Sequence, residues 1–422
     1  MSLNTFRGLL ALRVIALSAL MLAQVQGQAQ EQGAVESAAS LTLDQALRLA
    51  LDHNPSLTAA RREVGATEGQ MLQGSLRPNP ELIYQADDAS KASRTSTFEI
   101  GLPIETGGKR DARMRAASLG REVAQADLGG TELRVRSAVI AAFFDVLVAQ
   151  ELRMTAEDSV KISQRATDIA AKRVAAGKVS PVEETRARVA EAGARVALNQ
   201  AESELRNARR RLSNQWGNTT PTFTEASGDV ERLAALPTED QVMQRLASSP
   251  QLLRAQRELE RRKSLVALEQ SRAVPDVTLS IGMKRSLDVS GEQALVALKV
   301  PLPVFNRNQG NLQEALQRSE KAGAELDAAR VSLSSAARQA LENVTARRTE
   351  AELLRAEVVP GARSAYEAAT IGFENGKFSF LEVLDAQRTL ISAKMQYLNA
   401  LANFHRARSE LESLTGAISD DR

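Results

Sequence analysis

The chain repeats itself, and a repeat of nearly 200 residues narrows the possible folds more than length or composition does. Asn54-Pro55-Ser56-Leu57 returns as Ser249-Pro250-Gln251-Leu252, an offset of 250 − 55 = 195, and Pro80 returns at the same offset as Pro275. Gly177-Lys178-Val179-Ser180 returns as Gly376-Lys377-Phe378-Ser379, 376 − 177 = 199. From there the match runs ungapped, pairing Glu183 with Glu382, Ala187 with Ala386, Ala208 with Ala407, Arg209 with Arg408, Leu212 with Leu411 and Gly217 with Gly416. The mature chain therefore reads as two versions of one unit, residues 41–217 and 239–416. Between them lies a linker or equatorial segment, 218–238, carrying Pro221, Gly228 and Pro237, and residues 417–422 form a tail.

Each unit has the same order of elements. A capped helix opens it, with Thr42 and Asp44 ahead of Ala46, Leu47, Ala50 and Leu51, and helical patterning resumes after Pro55 until Pro78. A strand pair follows. In the second unit Val277, Leu279, Ile281 and Met283 alternate with polar or small residues, and the partner strand is expected over Val296, Leu298, Val300, Leu302 and Val304. In the first unit the pair is Leu82 and Tyr84, then Phe98, Ile100, Leu102 and Ile104 against Thr97, Glu99 and Gly101. Period-two alternation over about ten residues suits a half-buried strand and equally a transmembrane barrel strand, and periodicity does not separate them. Pro80, Pro103, Pro275, Pro301 and Pro303 stand at strand ends, where a missing donor is tolerated.

Helical patterning then runs over residues 108–176 and again over 307–375, with no proline in the first and only Pro360 in the second. At 1.5 Å per residue such a run makes roughly 100 Å of helix, longer than any compact domain holds. Coiled-coil packing is required, and Val135, Val139, Ala142, Val146 and Ala149 have its spacing. Beyond each glycine turn a returning helix keeps strict sevens: Val383, Leu390, Tyr397, Phe404 and Leu411, then Leu384, Ile391 and Leu398, and in the first unit Leu198, Leu205 and Leu212. A sustained period of seven implies a left-handed supercoil. Tyr397 and Phe404 are seam residues on this reading.

Composition removes whole classes of function. With 54 Lys and Arg against 52 Asp and Glu, nothing points to nucleic acid, and Arg209-Arg210-Arg211 and Arg261-Arg262-Lys263 read as solvated helix faces. There is no cysteine, hence no thiolate metal site and no lipid attached to an N-terminal cysteine. His53 and His405 are the only histidines. No catalytic set, metal centre or cofactor site can be assembled from them, so no enzyme is expected. Gly107-Gly108-Lys109 is not a phosphate loop, since no Ser or Thr follows the lysine, and its expected role is to turn a strand into a helix.

Residues 1–29 read as a signal peptide: Arg7 and Arg13, an apolar run from Val14 to Ala23, then Gly27 and Ala29 at cleavage positions −3 and −1. No stretch is long and apolar enough to span a bilayer as a helix, so insertion would need β-strands. Four strands cannot close a barrel, for which about eight is the practical minimum, so copies must assemble if the strands enter lipid.

Two tandem units of helix, hairpin, very long helix, glycine turn and returning helix resemble the TolC-type outer-membrane factor family over essentially all of the mature chain. Residues 173–180, Arg-Val-Ala-Ala-Gly-Lys-Val-Ser, and 372–379, Gly-Phe-Glu-Asn-Gly-Lys-Phe-Ser, resemble that family's two helix-hairpin tips. The resemblance implies a mainly α chain with a membrane β-barrel. Its four strands would contribute to the twelve of a homotrimer in outer-membrane lipid, and its antiparallel coiled coils to an α-barrel across the periplasm. It further implies a periplasmic adaptor, the membrane fusion protein, meeting the tips Gly177, Lys178, Val179, Ser180, Gly376, Lys377, Phe378 and Ser379, and an RND-type inner-membrane pump. Glu382 and Asp385, three apart on one helix face, correspond to acidic residues that narrow the periplasmic entrance, with ordinary solvated charge as the alternative. Glu183 and Glu184 after Pro181 fit that acidic pattern less clearly.

Leu302-Pro303-Val304-Phe305-Asn306-Arg307-Asn308-Gln309-Gly310 and Gly107-Gly108-Lys109-Arg110 look most like members serving heavy-metal cation exporters of the cobalt-zinc-cadmium or copper-silver kind. The expected function is a passive exit duct of a pump-adaptor-channel system. A multidrug or type I secretion duct of the same fold is the alternative. A soluble periplasmic scaffold is the alternative of another class, and the face formed by Val277 to Met283 and Val296 to Val304, with no bulky helix to cover it, speaks against that.

Overall fold

The computed structural model describes residues 40–87, 95–286, 291–375 and 377–415. The expected signal peptide, residues 1–29, and the tail, residues 417–422, lie outside them. The first unit contains β1 (Ser40–Thr42), α1 (Leu43–His53), α2 (Pro55–Ser75), β2 (Glu81–Asp87), β3 (Thr95–Ile104), α3 (Lys109–Ala175) and α4 (Pro181–Ser213). A short strand, β4 (Glu225–Ser227), follows, and then α5 (Glu239–Leu246), α6 (Pro250–Arg272), β5 (Val277–Ser286), β6 (Glu292–Lys299), α7 (Gln309–Leu353), α8 (Val359–Glu374) and α9 (Phe380–Thr415).

The repeat is visible in the caps. Thr42 and Thr238 each form a capping box with the glutamine three residues on, Gln45 and Gln241. Asn54 and Ser249 each cap the next helix, with Pro55 and Pro250 at its first position, where a proline's missing N–H costs nothing. In α3, 67 residues long, the expected seam Val135, Val139, Ala142, Val146 and Ala149 is buried. α3 lies against α2, α4, α6 and α9, while α7 lies against α6 and α9. Phe404, Ala407 and Leu411 of α9 meet Ala337, Ala340 and Val344 of α7 and Val242 and Leu246 of α5 in one core. Small side chains on the long helices let these axes approach.

The second rod keeps its helical course past its one proline, as expected, and two features depart from the sequence reading. Pro360 does not break its helix: a π-helical turn, Leu354–Val358, joins α7 to α8 immediately before it, relieving the clash of the ring with the preceding turn. The strand expected to reach Val304 ends at Lys299, ahead of Pro301 and Pro303. Segment 218–238 is no loose linker. β4 pairs in parallel with β1, and Phe223, Ala226, Val230 and Ala234 are buried.

That segment is fastened to the rods as a belt. Gln150 brackets Ala226, donating to its carbonyl at 3.0 Å and accepting from its amide at 2.8 Å. His405 is buried, stacks on Phe144 at 3.5 Å between centroids, and lies 2.9 Å from the Val230 carbonyl oxygen through Nε2. Burial pushes its pKa down to about 4, so the ring is neutral at physiological pH and its Nε2–H donates to that carbonyl.

Candidate membrane band and helix tips

The four long strands form one antiparallel sheet in the order β2-β3-β5-β6. Register aligns the apolar residues in rows across it: Leu82, Ile100, Ile281 and Val296; Tyr84, Phe98, Met283 and Ala294; Leu102, Leu279 and Leu298. The opposite face carries Gln85, Thr97, Lys284 and Gln293 in one row and Glu81, Gly101, Ser280 and Ala297 in another. Gly282 is required there, since a Cβ would collide with the Phe98 carbonyl oxygen.

Among the described residues no helix covers the apolar face. Leu82 is 76% exposed and Val296 75%, and Tyr84, Phe98, Ile100, Leu102, Ile104, Leu279, Ile281, Met283 and Leu298 are exposed beside them. At ~1.5–3 kcal/mol for fully burying one large apolar side chain, and with these eleven between 41% and 76% exposed, leaving them in water forgoes roughly 10–20 kcal/mol, comparable to the ~5–15 kcal/mol that holds a typical protein folded. Water is therefore the wrong solvent for this face. β3 and β5 are each ten residues long, which at a tilt of about 45° spans roughly 25 Å, the height of the apolar band of a membrane barrel. Among the described residues the outer edges of β2 and β6 have no strand partner.

Below the sheet the chain turns into the long helices as the glycines suggested. Gly107 and Gly108 have φ of +67° and +72°, and Asn308, at φ +62°, does the same work before α7. Asn308 holds its turn by donating from its side chain to the carbonyl oxygen and Oε2 of Glu269. Lys109 forms an ion pair of 2.6 Å with Asp276, which also accepts the Thr106 amide at 3.0 Å, and Arg113 pairs with Glu105. The two bonds to Asp276 tie the end of β3 to the start of β5, across the boundary between the two units.

At the far end of the rods, α3 closes in a Schellman motif: the Lys178 amide reaches the Arg173 carbonyl, the Gly177 amide reaches that of Val174, and Gly177 takes φ +68°. Ser180 then caps α4 by accepting the Val182 amide. The second tip repeats this, with the Lys377 amide 2.8 Å from the Gly372 carbonyl oxygen, although Gly376 itself lies outside the described residues. The two tips sit side by side. The Arg173 guanidinium stacks 3.9 Å over the Phe373 ring and donates to the Phe373 carbonyl, and Ala170, Ala187, Ala369, Phe373, Val383 and Leu384 join all four helices in one core. Sequence reasoning missed the Arg173–Phe373 contact, because nothing local links residues 200 positions apart.

Lys178, Ser180, Lys377, Phe378 and Ser379 are exposed and Val179 is half-buried, so the tips present a mixed basic and apolar surface. Glu382 and Asp385 are both exposed. Glu382 serves as a cap, accepting the Ser379 amide at 2.6 Å, and neither carboxylate has an ion pair among the described residues. In the first unit Glu184 is paired with Arg188 one turn on, so Asp385 is the freer charge.

The sequence matches the family described as outer membrane efflux protein twice, at residues 46–218 and 242–417. The chain belongs to that family. It is 44% identical to the cobalt-zinc-cadmium resistance protein CzcC of Cupriavidus metallidurans, over 90% of this chain and 91% of that protein. It is 26% identical to the nickel-cobalt-cadmium resistance protein NccC of Alcaligenes xylosoxydans xylosoxydans, over 73% of this chain and 70% of that one. The fold matches the crystal structure of CusC with a TM-score of 0.75 at 17% identity, covering 89% of this chain and 92% of CusC. The chain is thus an outer-membrane efflux channel of the TolC-like fold and not an enzyme, which sets aside the soluble scaffold. Among the described residues no helix is long and apolar enough to cross a membrane, and no group of His, Asp and Glu is placed to hold a metal.

Proposed function

We propose that three copies of this chain close a twelve-stranded barrel in the outer membrane and a helical barrel beneath it. Together they form the passive exit duct of a pump-adaptor-channel system for heavy-metal cations. The observation that carries this reading is the four-stranded sheet, whose outer face holds three adjoining apolar rows, bordered by the row Ala86, Ser96, Arg285 and Glu292, and whose two edges are unpaired among the described residues. In lipid an open sheet edge leaves backbone groups unsatisfied, so the sheet must continue into another copy. Metal cations as cargo follow from the likeness to CzcC and NccC, whose names record resistance to cobalt, zinc, cadmium and nickel.

Residues 1–29 direct export on this reading, and the mature chain carries no lipid. Units 41–217 and 239–416 supply the rods, joined by 218–238, with a tail at 417–422. The tips, Gly177 to Ser180 and Gly376 to Ser379, meet the periplasmic adaptor, which couples the duct to an RND-type inner-membrane pump. Asp385, with Glu382 beside it, contributes a ring of carboxylates at the entrance, where it favours cations over anions.

Deleting the gene should lower tolerance to cobalt, zinc and cadmium together, with tolerance to detergents and dyes unchanged. A defect confined to drugs would remove the metal reading and leave the channel. For the entrance, Glu382→Gln with Asp385→Asn should change single-channel conductance or cation block in planar bilayers. Unaltered currents would take both carboxylates off the axis.

A further inference from the structure

Two offsets relate the hairpins residue by residue. Pro275 − Pro80 gives 275 − 80 = 195 for β2 to β5, and Pro303 − Pro103 gives 303 − 103 = 200 for β3 to β6, with Leu102-Pro103-Ile104 matching Leu302-Pro303-Val304. The observed pairing obeys both: Tyr84 opposite Phe98 becomes Leu279 opposite Leu298, and Ile83 opposite Glu99 becomes Thr278 opposite Lys299. Each hairpin has one register.

The joint between the hairpins is the β3–β5 pairing, with Ile104 opposite Val277, Leu102 opposite Leu279 and Ile100 opposite Ile281. β2 pairs no further along β3 than Gly101, so Leu102, Pro103 and Ile104 are held as strand by β5 alone. Their counterparts, Leu302, Pro303 and Val304, have no such neighbour in the chain and are not strand. Leu302 is 80% exposed, and the Val304 amide turns back onto the Leu302 carbonyl oxygen at 2.9 Å. This segment has the sequence of a strand and lacks only a partner.

We propose that the partner is β2 of a second copy, in the register that the internal joint dictates. Val304 stands opposite Leu82, Leu302 opposite Tyr84 and Val300 opposite Ala86, and residues 300–304 become strand only on assembly. The inference rests on the ring reading above and adds its register and the folding step. A slip of one residue would turn every apolar side chain of one strand toward the polar face, so the remaining competitors are slips of two. The joint between copies departs from its internal twin at the turn. Arg307 replaces Gly107, which packs too closely on Val274 to accept a Cβ, and Gln309 replaces Lys109, so an uncharged amide, which in the single chain donates to the Phe305 carbonyl, would face the Glu81 carboxylate where Lys109 pairs with Asp276.

The chain has no cysteine, which makes disulfide mapping clean. Leu302→Cys is combined in turn with Leu82→Cys, Tyr84→Cys and Ala86→Cys in the full chain, and isolated outer membranes are oxidised. Within one chain β2 and β6 are separated by two strands, about 14 Å, beyond disulfide reach, so any bond joins two chains. The dimer and higher bands should be several-fold stronger with Tyr84→Cys than with either other partner, and Val304→Cys with Leu82→Cys, a second matched pair, should behave alike. A maximum at Leu82→Cys or Ala86→Cys for position 302 overturns the register and leaves the ring. Oligomers that form without any of these bonds overturn edge pairing through 300–304. A membrane-inserted chain that stays monomeric overturns the ring itself.

Discussion

The equatorial belt and the membrane sheet are built from similar material and finished in opposite ways. In the belt the main apolar groups are covered within the same chain: Phe223, Ala226, Val230 and Ala234 are buried, Leu233 and Leu236 pack half-buried against the neighbouring core, Gln150 satisfies both backbone groups of Ala226, and His405 is stacked and hydrogen-bonded. In the sheet the apolar rows face outward and two edges stand open. One region is completed within the chain, and the other, on the reading proposed above, is completed by lipid and by further copies. Stability measured at the belt should therefore be a property of the chain, and stability measured at the sheet a property of its surroundings.

The strongest test of that contrast is at Phe404, which is fully buried where α9 meets α7 and α5. Phe404→Ala should cost about 3–5 kcal/mol, read as a lowered thermal midpoint by circular dichroism, and by the same amount in every detergent tried. Ile281→Arg, at the centre of the outward face, should cost about 2–4 kcal/mol in vesicles, while Thr97→Arg on the polar face should cost much less. Equal costs for the two arginines would mean that lipid does not touch the Ile281 side.

His405 gives the belt a pH signature. Its folded pKa, about 4, lies below the unfolded value near 6.5, so the unfolded chain takes up the proton first as pH falls. Its contribution is complete above pH 6.5 and is lost as pH falls toward 4, on the order of 3 kcal/mol in all. Denaturant midpoints of wild type and His405→Gln should converge over that window, and parallel pH curves would refute the assignment. The smallest effect is at the helix caps. Thr238→Ala should lower stability by about 1 kcal/mol, and Thr42→Ala by a similar amount, because both lose the same capping box.

Much of this architecture could be read from the chain because its signals are periodic. The seam of α3 and the sevens of α9 follow from spacing alone, and the turns at Gly108 and Gly177 from the conformations only glycine adopts cheaply. The features that stayed hidden depend on partners far away in sequence. Residues 225–227 are a strand because β1 lies beside them, nearly 190 positions earlier, and no pattern in three residues announces that. Residues 300–304 failed in the opposite sense, reading as strand although the single chain does not pair them. At the tips the backbone turn was legible. That Arg173 lies over Phe373, and that Glu382 is occupied as a cap, required coordinates.

The even number of crossings in the sheet has one last consequence. On the barrel reading proposed above, a chain that traverses the bilayer twice per hairpin returns to the compartment it left, so two hairpin units in one chain widen the wall without turning either rod over. The two halves differ along their returning helices: α4 is heavily charged, while α9 keeps its aliphatic and aromatic sevens, so in a ring of such chains the wall would alternate between two kinds of stave.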